Sequence, residues 1–574
     1  MGNILKKLPA SNNGAGHRMK TSTATHPRKN LLWLSIILLL ISLAMSACQP
    51  LSLQVEQVQA SVNLQRVRAQ DCSYGGAFRA VEAVDSYTVR FTLCDPDPAF
   101  PAKMAFPIFA IQDDLYLKEH QGDSSEMSRQ PNGSGPYRVA EYEPGVRLIL
   151  RPNPDYWGIP PRIQTLSFRW ASTSLSRLME VSTETAHAMD SPDPNSYYSI
   201  NQDSSLSLVY RPALNLAFIG MNNRYPPFND ARVRQAISML IDREKIVNTI
   251  YPFGTEVADQ FLSPAFQVGY TPLYQWLPYD PQQALDLLRR ANFDFEQELT
   301  LSYSSQGNEL LPDPHRIAQT IRSQLLPYGV NVRLNRMDAA EFERSVQAGE
   351  EAFFLYSWYA DYADPTSLYS TIFSSDAKLL GNVYPDVQFM AREAGRTSNP
   401  DQRQGRYNRI NEMLRMHVPA IPLAHVRTAA VFRQEVQGAA VNAYLENLPE
   451  VITPDRTLVF LQSAEPESLW PADATQWTTF RVTNLLYSTL VENDFNGTGL
   501  RPGLAESWSS NPDATEWTFN LRYGVRFTNG ELLDANDVVA SFAAIWDAAN
   551  PNHTGDSGQF VYFRRFFGSF LNQP

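Results

Sequence analysis

Phe353-Phe354-Leu355-Tyr356-Ser357-Trp358-Tyr359-Ala360-Asp361-Tyr362-Ala363-Asp364-Pro365 is an apolar run that ends in aromatic residues and two acids. The pattern predicts a buried strand opening into a loop. Loops on the rim of a rigid scaffold are where binding groups concentrate. Trp358, Tyr359 and Tyr362 are therefore candidate cavity walls, and Asp361 is a candidate fixed negative charge for a cationic ligand group. The plainer reading of the same residues is a strand end with solvated acids. The rest of the chain has to decide between them.

Outward from this block, helix and strand patterns alternate. Residues 214–222 read as a strand passing into a turn, and Asp230 caps a helix with Val233, Ile237, Leu240 and Ile241 on one face. Helices are expected at 281–288, 315–325 and 406–416, and strands at 298–303, 330–334 and 419–423. Upstream, a hairpin spans 78–93, strands 138–141, 146–150 and 163–169 follow, and 174–186 looks helical. At Arg456 the pattern starts afresh with a strand at 457–460, a helix at 480–487 and a turn at 504–508. Strands at 516–521 and 525–527 and a helix from Asp534 come next, and 550–574 reads as loop. Such alternation means an α/β architecture with mixed sheets.

The chain has 574 residues, enough for two or three domains, and its 43% hydrophobic and 19% charged composition is that of a folded soluble protein. Its net charge is −12, but residues 1–47 hold six Lys/Arg and no acid. Without them 42 bases face 60 acids, a net −18, which argues against nucleic acid as a partner. The eight histidines form no metal-binding pattern, and no Gly-rich phosphate or dinucleotide fingerprint appears, so no cofactor is implied. Asp361 and Asp364 make no recognisable hydrolytic pair, and no nucleophile accompanies them, so an enzyme is not expected. A scaffold without a small ligand would need an exposed protein-binding surface instead.

Arg28-Lys29, the apolar stretch 31–41 and Ser46-Ala47-Cys48 form an export signal. The end resembles the bacterial lipoprotein signal, in which Cys48 would be lipidated, although Met45 stands where that signal prefers Leu. The rival is a retained transmembrane anchor. Either way the bulk of the chain lies outside the cytoplasm, tied to the outer face of a bacterial cell membrane, with residues 48–70 as a tether. Export permits disulfides, and Cys72 and Cys94 bracket the first hairpin. They are a candidate bridge; two isolated buried thiols are the alternative.

Several segments together resemble the family 5 extracellular solute-binding proteins, the dipeptide- and oligopeptide-binding components of ABC importers. They are Asn132-Gly133-Ser134-Gly135-Pro136-Tyr137, Asn153-Pro154-Asp155-Tyr156-Trp157, Phe228-Asn229-Asp230-Ala231-Arg232-Val233-Arg234-Gln235-Ala236-Ile237, Asp242-Arg243-Glu244-Lys245-Ile246 and the opening block. Leu504-Ala505-Glu506-Ser507-Trp508, Trp517-Thr518-Phe519-Asn520-Leu521-Arg522, Gly524-Val525-Arg526-Phe527 and the 534–542 block complete the set. The order departs from the family, in which the 504–542 kind of block lies near the mature N-terminus. Placing residues 456–574 ahead of 71–455 gives 504 residues, one member of ordinary size, which implies a circular permutant; a truncated tandem fusion is the rival.

The resemblance implies a two-lobed periplasmic-binding-protein fold of type II, the large peptide-binding class, with mixed sheets and a two-segment hinge. The expected divisions are 1–47 signal peptide, 48–70 tether, 71–225 first lobe part A, 226–435 second lobe and 436–574 first lobe part B, permuted from about 456. In peptide-binding relatives an acid in the block resembling Trp358-Tyr359-Ala360-Asp361 receives the peptide's α-ammonium, which puts that role on Asp361 and makes Trp358 a pocket wall. Asp364 is expected in turn structure, and Asp230, Arg232 and Arg234 in capping and packing near the hinge. The implied protein is a monomer that takes short peptides, or alternatively an oligosaccharide, to an ABC permease.

Overall fold

The computed structural model describes residues 63–573 apart from 122, 375, 376, 382, 383 and 556, so the export signal and Cys48 lie outside the described residues. Among the described residues no helix is long and apolar enough to cross a membrane. Phe353–Tyr359 is a strand within a six-stranded sheet, ordered Glu256–Val257, Ala420–His425, Asn215–Met221, Phe353–Tyr359, Glu298–Ser304 and Asn331–Met337. It runs antiparallel to Asn215–Met221, from Phe353↔Met221 to Tyr359↔Asn215, and parallel to Glu298–Ser304. Asn215–Met221 is buried at every position, as expected of an inner strand covered on both faces.

Helices connect the parallel strands, and their starts are local chemistry. Pro314–Leu325 begins with Asp313, whose carboxylate accepts from Arg316 N at 2.9 Å, and with Pro314 where a missing N–H costs least. Ile317, Ala318, Ile321 and Leu325 form its buried stripe. The chain turns at Gly329, whose φ of +77° suits a residue without Cβ.

The other lobe is built on two sheets. One has seven strands, ordered Tyr137–Glu143, Arg147–Pro152, Thr165–Trp170, Thr457–Gln462, Ala188–Met189, Ala429–Arg433 and Leu206–Tyr210. Its middle strand, Thr457–Gln462, runs parallel to both neighbours, from Thr457↔Thr165 to Gln462↔Trp170 on one side. The second sheet is antiparallel, ordered Arg66–Arg68, Phe78–Asp85, Thr88–Leu93, Glu516–Leu521 and Ala505–Ser510. Helix Ala535–Trp546 starts at a capping box made by Asp534 and Asp537 and lays Phe542 4.8 Å from the Phe91 ring. Residues from 457 onward thus furnish inner strands and core aromatics to sheets begun by the first hundred described residues.

Five expectations need correction. Arg66–Arg68, within the expected tether, is an edge strand paired with Phe78–Asp85. Of the expected turn 504–508, residues 505–508 belong to the strand Ala505–Ser510, whereas 525–527, expected as a strand, make only the bridge Arg526↔Leu532. Inside the expected terminal loop lies a helix, Val561–Phe567, with Phe563, Phe566 and Phe567 buried; at seven residues it is too short for its period to stand out against the flanking glycines and asparagines. Finally, Asn215–Met221 sits in the six-stranded sheet and Ala429–Arg433 in the seven-stranded one. The crossings between lobes are therefore at 211–214 and 426–428, earlier than 225 and 435.

These crossings are clamped to each other. Arg211 N donates to Thr428 O at 2.9 Å, and the buried Asn215 amide both donates to Val426 O (2.9 Å) and accepts from Val426 N (2.8 Å). His425 Nδ1 donates to Asn215 O at 2.8 Å, and burial pushes this imidazole down to about 4, so it is neutral at pH 7.

Cys72 and Cys94 are joined by a disulfide at a sequence separation of 22. Closing this loop removes freedom from the unfolded chain, so replacing both by Ser should cost about 2–4 kcal/mol. Urea unfolding under oxidising conditions measures this; an unchanged midpoint would show that the bridge contributes nothing.

Candidate functional site

Asp361 follows the Phe353–Tyr359 strand directly, on the loop that leads into helix Thr366–Ile372. Its backbone N–H donates to Ser367 Oγ at 2.9 Å, which ties the loop to the start of that helix. The side chain is 13% exposed and meets Arg565 Nη1 at 3.3 and 3.2 Å from its two oxygens. Burial raises the Asp361 pKa, and Arg565 opposes that rise. Arg565 comes from the helix Val561–Phe567 of the other lobe, with its guanidinium 4.9 Å from the Tyr562 ring. The acid therefore already faces one cation across the cleft.

Asp361 lines a narrow inter-lobe cavity of about 60 Å³. Aromatic rings form much of its wall: Tyr444 stacks on Trp477 with centroids 5.4 Å apart and planes 8° from parallel, and Phe106 meets Trp477 edge-on at 5.7 Å. Glu492 and Arg501 reach it from the hairpin Val491–Asn493 and Leu500–Pro502. Aromatic walls with a few placed charges suit a small polar molecule that carries apolar parts.

Of the four residues named from sequence, only Asp361 lines this cavity. Trp358 is 8% exposed and packs into the second lobe's core, because strand alternation turns it to the face opposite Tyr359. Tyr359, 42% exposed, donates to Glu309 Oε2 at 2.9 Å. Tyr362 is 4% exposed, edge-on to Phe566 at 5.1 Å, and lines a neighbouring cavity with Lys103. Asp364 is structural, as expected: Arg403 donates to both of its oxygens at 2.7 Å, and Thr366 N joins at 2.9 Å. Burial would raise its pKa, but Arg403 and Thr366 outweigh that and hold it low. Asp230 caps its helix at Arg232 N, and Arg234 donates to the carbonyls of His417 and Phe228.

Tyr444, Trp477, Glu492, Arg501 and Arg565 were not singled out from sequence. Arg565 carried one usable signal: the aromatic residues Phe560, Phe563, Phe567 and Phe570 around it recur at helical spacing.

Behind the cavity wall lies a buried ionic cluster. The Glu446 side chain is wholly buried and pairs with Arg211 and with Arg481 Nε at 2.6 Å. Arg481 Nη1 also reaches Asp190 at 3.0 Å, and Arg177 flanks Asp190 at 3.5 Å. Burial would raise the Glu446 pKa, yet Arg481 and Arg211 hold it below the ordinary range. A separate group, Asp113, Asp114 and Asp537, has ligand-type oxygens within 4.8 Å of one another. Its buried oxygens serve as caps, taking Leu115 N, Asp114 N and Asp534 N, while burial pushes Asp537 up to about 8. These bonds close the starts of the helices Asp114–Glu119 and Ala535–Trp546.

A two-lobed α/β molecule with a cavity between the lobes is the form of a solute trap, and the comparisons agree. The model of the bacterial extracellular solute-binding proteins, family 5 Middle, matches residues 52–379 and 499–561. The chain belongs to this family. This family 5 solute-binding protein is 26% identical over 369 residues to the dipeptide-binding protein of Escherichia coli K12, covering 63% of this chain and 69% of that one. It is 27% identical over 366 residues to di/tripeptide-binding protein 2 of Pseudomonas aeruginosa UCBPP-PA14, covering 62% and 68%. The structure of HbpA2 from Haemophilus parasuis superposes with a TM-score of 0.58 at 25% identity, over 64% of this chain and 73% of that one. The dipeptide-binding protein of Pseudoalteromonas sp. SM9913, in complex with Met-Leu, shares the fold with a TM-score of 0.54 at 22% identity, over 64% and 74%. Family membership makes this a solute-binding protein rather than an enzyme and places its work outside the cytoplasm.

Proposed function

We propose that this solute-binding protein captures short peptides with a free amino terminus between its lobes and passes them to an ABC permease. The observation that carries the reading is Asp361, a largely buried carboxylate presented to an aromatic inter-lobe cavity. Relatives whose names specify dipeptides or tripeptides support it. The chain would work as a monomer held at the membrane through a lipidated Cys48, a reading supported by Ser46-Ala47-Cys48 after the apolar stretch. We also infer that its segments are permuted relative to the family, with 457–573 acting as part of the first lobe. The strand pairings of that segment support this.

An oligosaccharide is the second reading, favoured by the nearly parallel Tyr444 and Trp477 rings. A neutral sugar offers Asp361 only hydroxyl donors, whereas a peptide offers a charge. Native mass spectrometry of gently purified protein should release peptides. N-acetylating such a peptide should weaken binding by about 2 kcal/mol, the low end for a desolvated charge pair, because Arg565 keeps Asp361 partnered when the ammonium is lost. Asp361→Asn should abolish the preference for free amines. Released glycans, or peptides indifferent to acetylation, would transfer the function to the second reading.

A further inference from the structure

Beside the Asp361 cavity lies a larger one of about 640 Å³, in whose wall Tyr362 stands. That is an ordinary size for a small-molecule pocket, whereas the Asp361 cavity is far narrower. Arg565 and Phe566 separate the two. Arg565 pairs with Asp361, and the Phe566 ring meets Phe106 of the narrow cavity and Tyr362 of the larger one, each at 5.1 Å. In a chain of net charge −12, the described residues lining the larger cavity bring four cations, Lys103, Arg392, Arg396 and Arg565, against the acids Asp95 and Asp97. Lys103 is 8% exposed, and its ammonium, with three N–H donors, makes one hydrogen bond, to Asp97 at 2.7 Å. The rings of Tyr362 and Phe567 flank it at 5.6 and 5.2 Å, so donors remain for an incoming anion. Burial opposes the charge on Lys103, but its neighbours, Asp97 above all, more than offset that and keep it cationic. Arg392, on the helix Pro385–Gly395, makes no ion pair among the described residues. Phe373 and Phe389 add flat apolar surface beside these charges.

Both lobes build this cavity. Lys103 and Arg565 belong to one, Tyr362 and Arg392 to the other, and at its rim Arg396 pairs with Asp95 across the cleft at 2.7 Å. A molecule that touches both walls binds the closed arrangement better than an open one. Linkage then makes it tighten any ligand that the closed lobes hold. We propose that this cavity is an effector site for a small organic carboxylate with an apolar body, separate from the Asp361 cavity, and that filling it favours lobe closure. The coupling to a peptide rests on the peptide reading above; the site itself does not.

The test is calorimetry on the full exported chain with hydrocinnamate and its amide, followed by trialanine with and without saturating hydrocinnamate. Hydrogen bonds to a charged group predict that the wild type prefers hydrocinnamate over the amide by about tenfold or more. Hydrocinnamate should tighten trialanine by about fivefold or more. Lys103→Gln should reduce the acid-to-amide ratio severalfold. Ser370→Trp, which fills the cavity from the helix Thr366–Ile372, should abolish hydrocinnamate binding and its effect on trialanine, while trialanine alone binds as to the wild type. Ser370→Trp and Arg392→Gln, both at exposed positions, decide the matter should Lys103→Gln not fold. Equal binding of acid and amide, or hydrocinnamate binding untouched by Ser370→Trp, overturns the site. Displacement of trialanine by hydrocinnamate, or no change in its affinity, overturns the effector role. Trialanine that fails to bind while hydrocinnamate still depends on Lys103 overturns the peptide reading and leaves the site standing.

Discussion

Expressed without residues 456–574, the chain from residue 63 to 455 should yield an unfolded, aggregating product. The seven-stranded sheet would lose its middle strand, leaving Thr165–Trp170 and Ala188–Met189 without the neighbour that joins them. Two open edges inside a sheet are templates for aggregation. The five-stranded sheet would lose Glu516–Leu521 and with it the core rings Phe519, Phe542, Trp546 and Phe567, all nearly inaccessible in the intact protein. Each large apolar side chain contributes about 1.5–3 kcal/mol by burial, so these four alone approach the roughly 5–15 kcal/mol by which domains are stable. Co-expressing 456–574 should restore soluble protein, followed by circular dichroism and ligand binding. A stable, ligand-competent 63–455 fragment would refute the permuted lobe and favour a truncated tandem copy.

The second large effect is expected at Glu446. Its carboxylate is the shared partner of Arg211, at the first crossing, and Arg481, in the helix Trp477–Leu486. Glu446→Ala leaves two buried guanidiniums facing Asp190 alone, and breaking a buried pair in this way costs about 3–5 kcal/mol. Urea unfolding at pH 7 measures the loss; a change below 1 kcal/mol, about the size of an exposed pair, would mean that water reaches the cluster. The pH dependence has a definite sign. A carboxyl held below its ordinary value of 4.5 contributes stability above that value and loses it as pH falls through the lower, folded value. The wild type should therefore weaken with acid below about pH 4.5, and the variant should lack that part of the fall. Replacing Glu446 and Arg481 together with apolar residues of similar size should recover part of the loss.

What was legible beforehand was mostly local. Asp230 and Asp534 each announce a helix start because the cap is made within three residues. The strand at Phe353–Tyr359 announces itself by composition, and Asp361 by the pattern around it. Partnership over distance was not legible. Asn215–Met221 is apolar on both faces and reads the same whichever sheet receives it, so the crossings were misplaced. Trp358 and Tyr359 differ by one position, and that step alone decides which enters the core. Arg565 acquires its partner Asp361 only through folding, across more than two hundred positions.

The position of the Thr457–Gln462 strand has a temporal meaning as well. It pairs with residues 292 positions earlier, Thr457 with Thr165, and Glu516 pairs with Thr92 at a separation of 424. Such distant pairings must close long loops before any contact rewards them, which makes folding slow. As the chain emerges from the ribosome, the seven-stranded sheet stays without its middle strand until residue 462 is made, and the five-stranded one without Glu516–Leu521 until residue 521. A secreted protein has to cross the membrane before its tertiary structure sets. Here the segment order itself postpones that moment, and with it the first opportunity to seize a ligand on the wrong side.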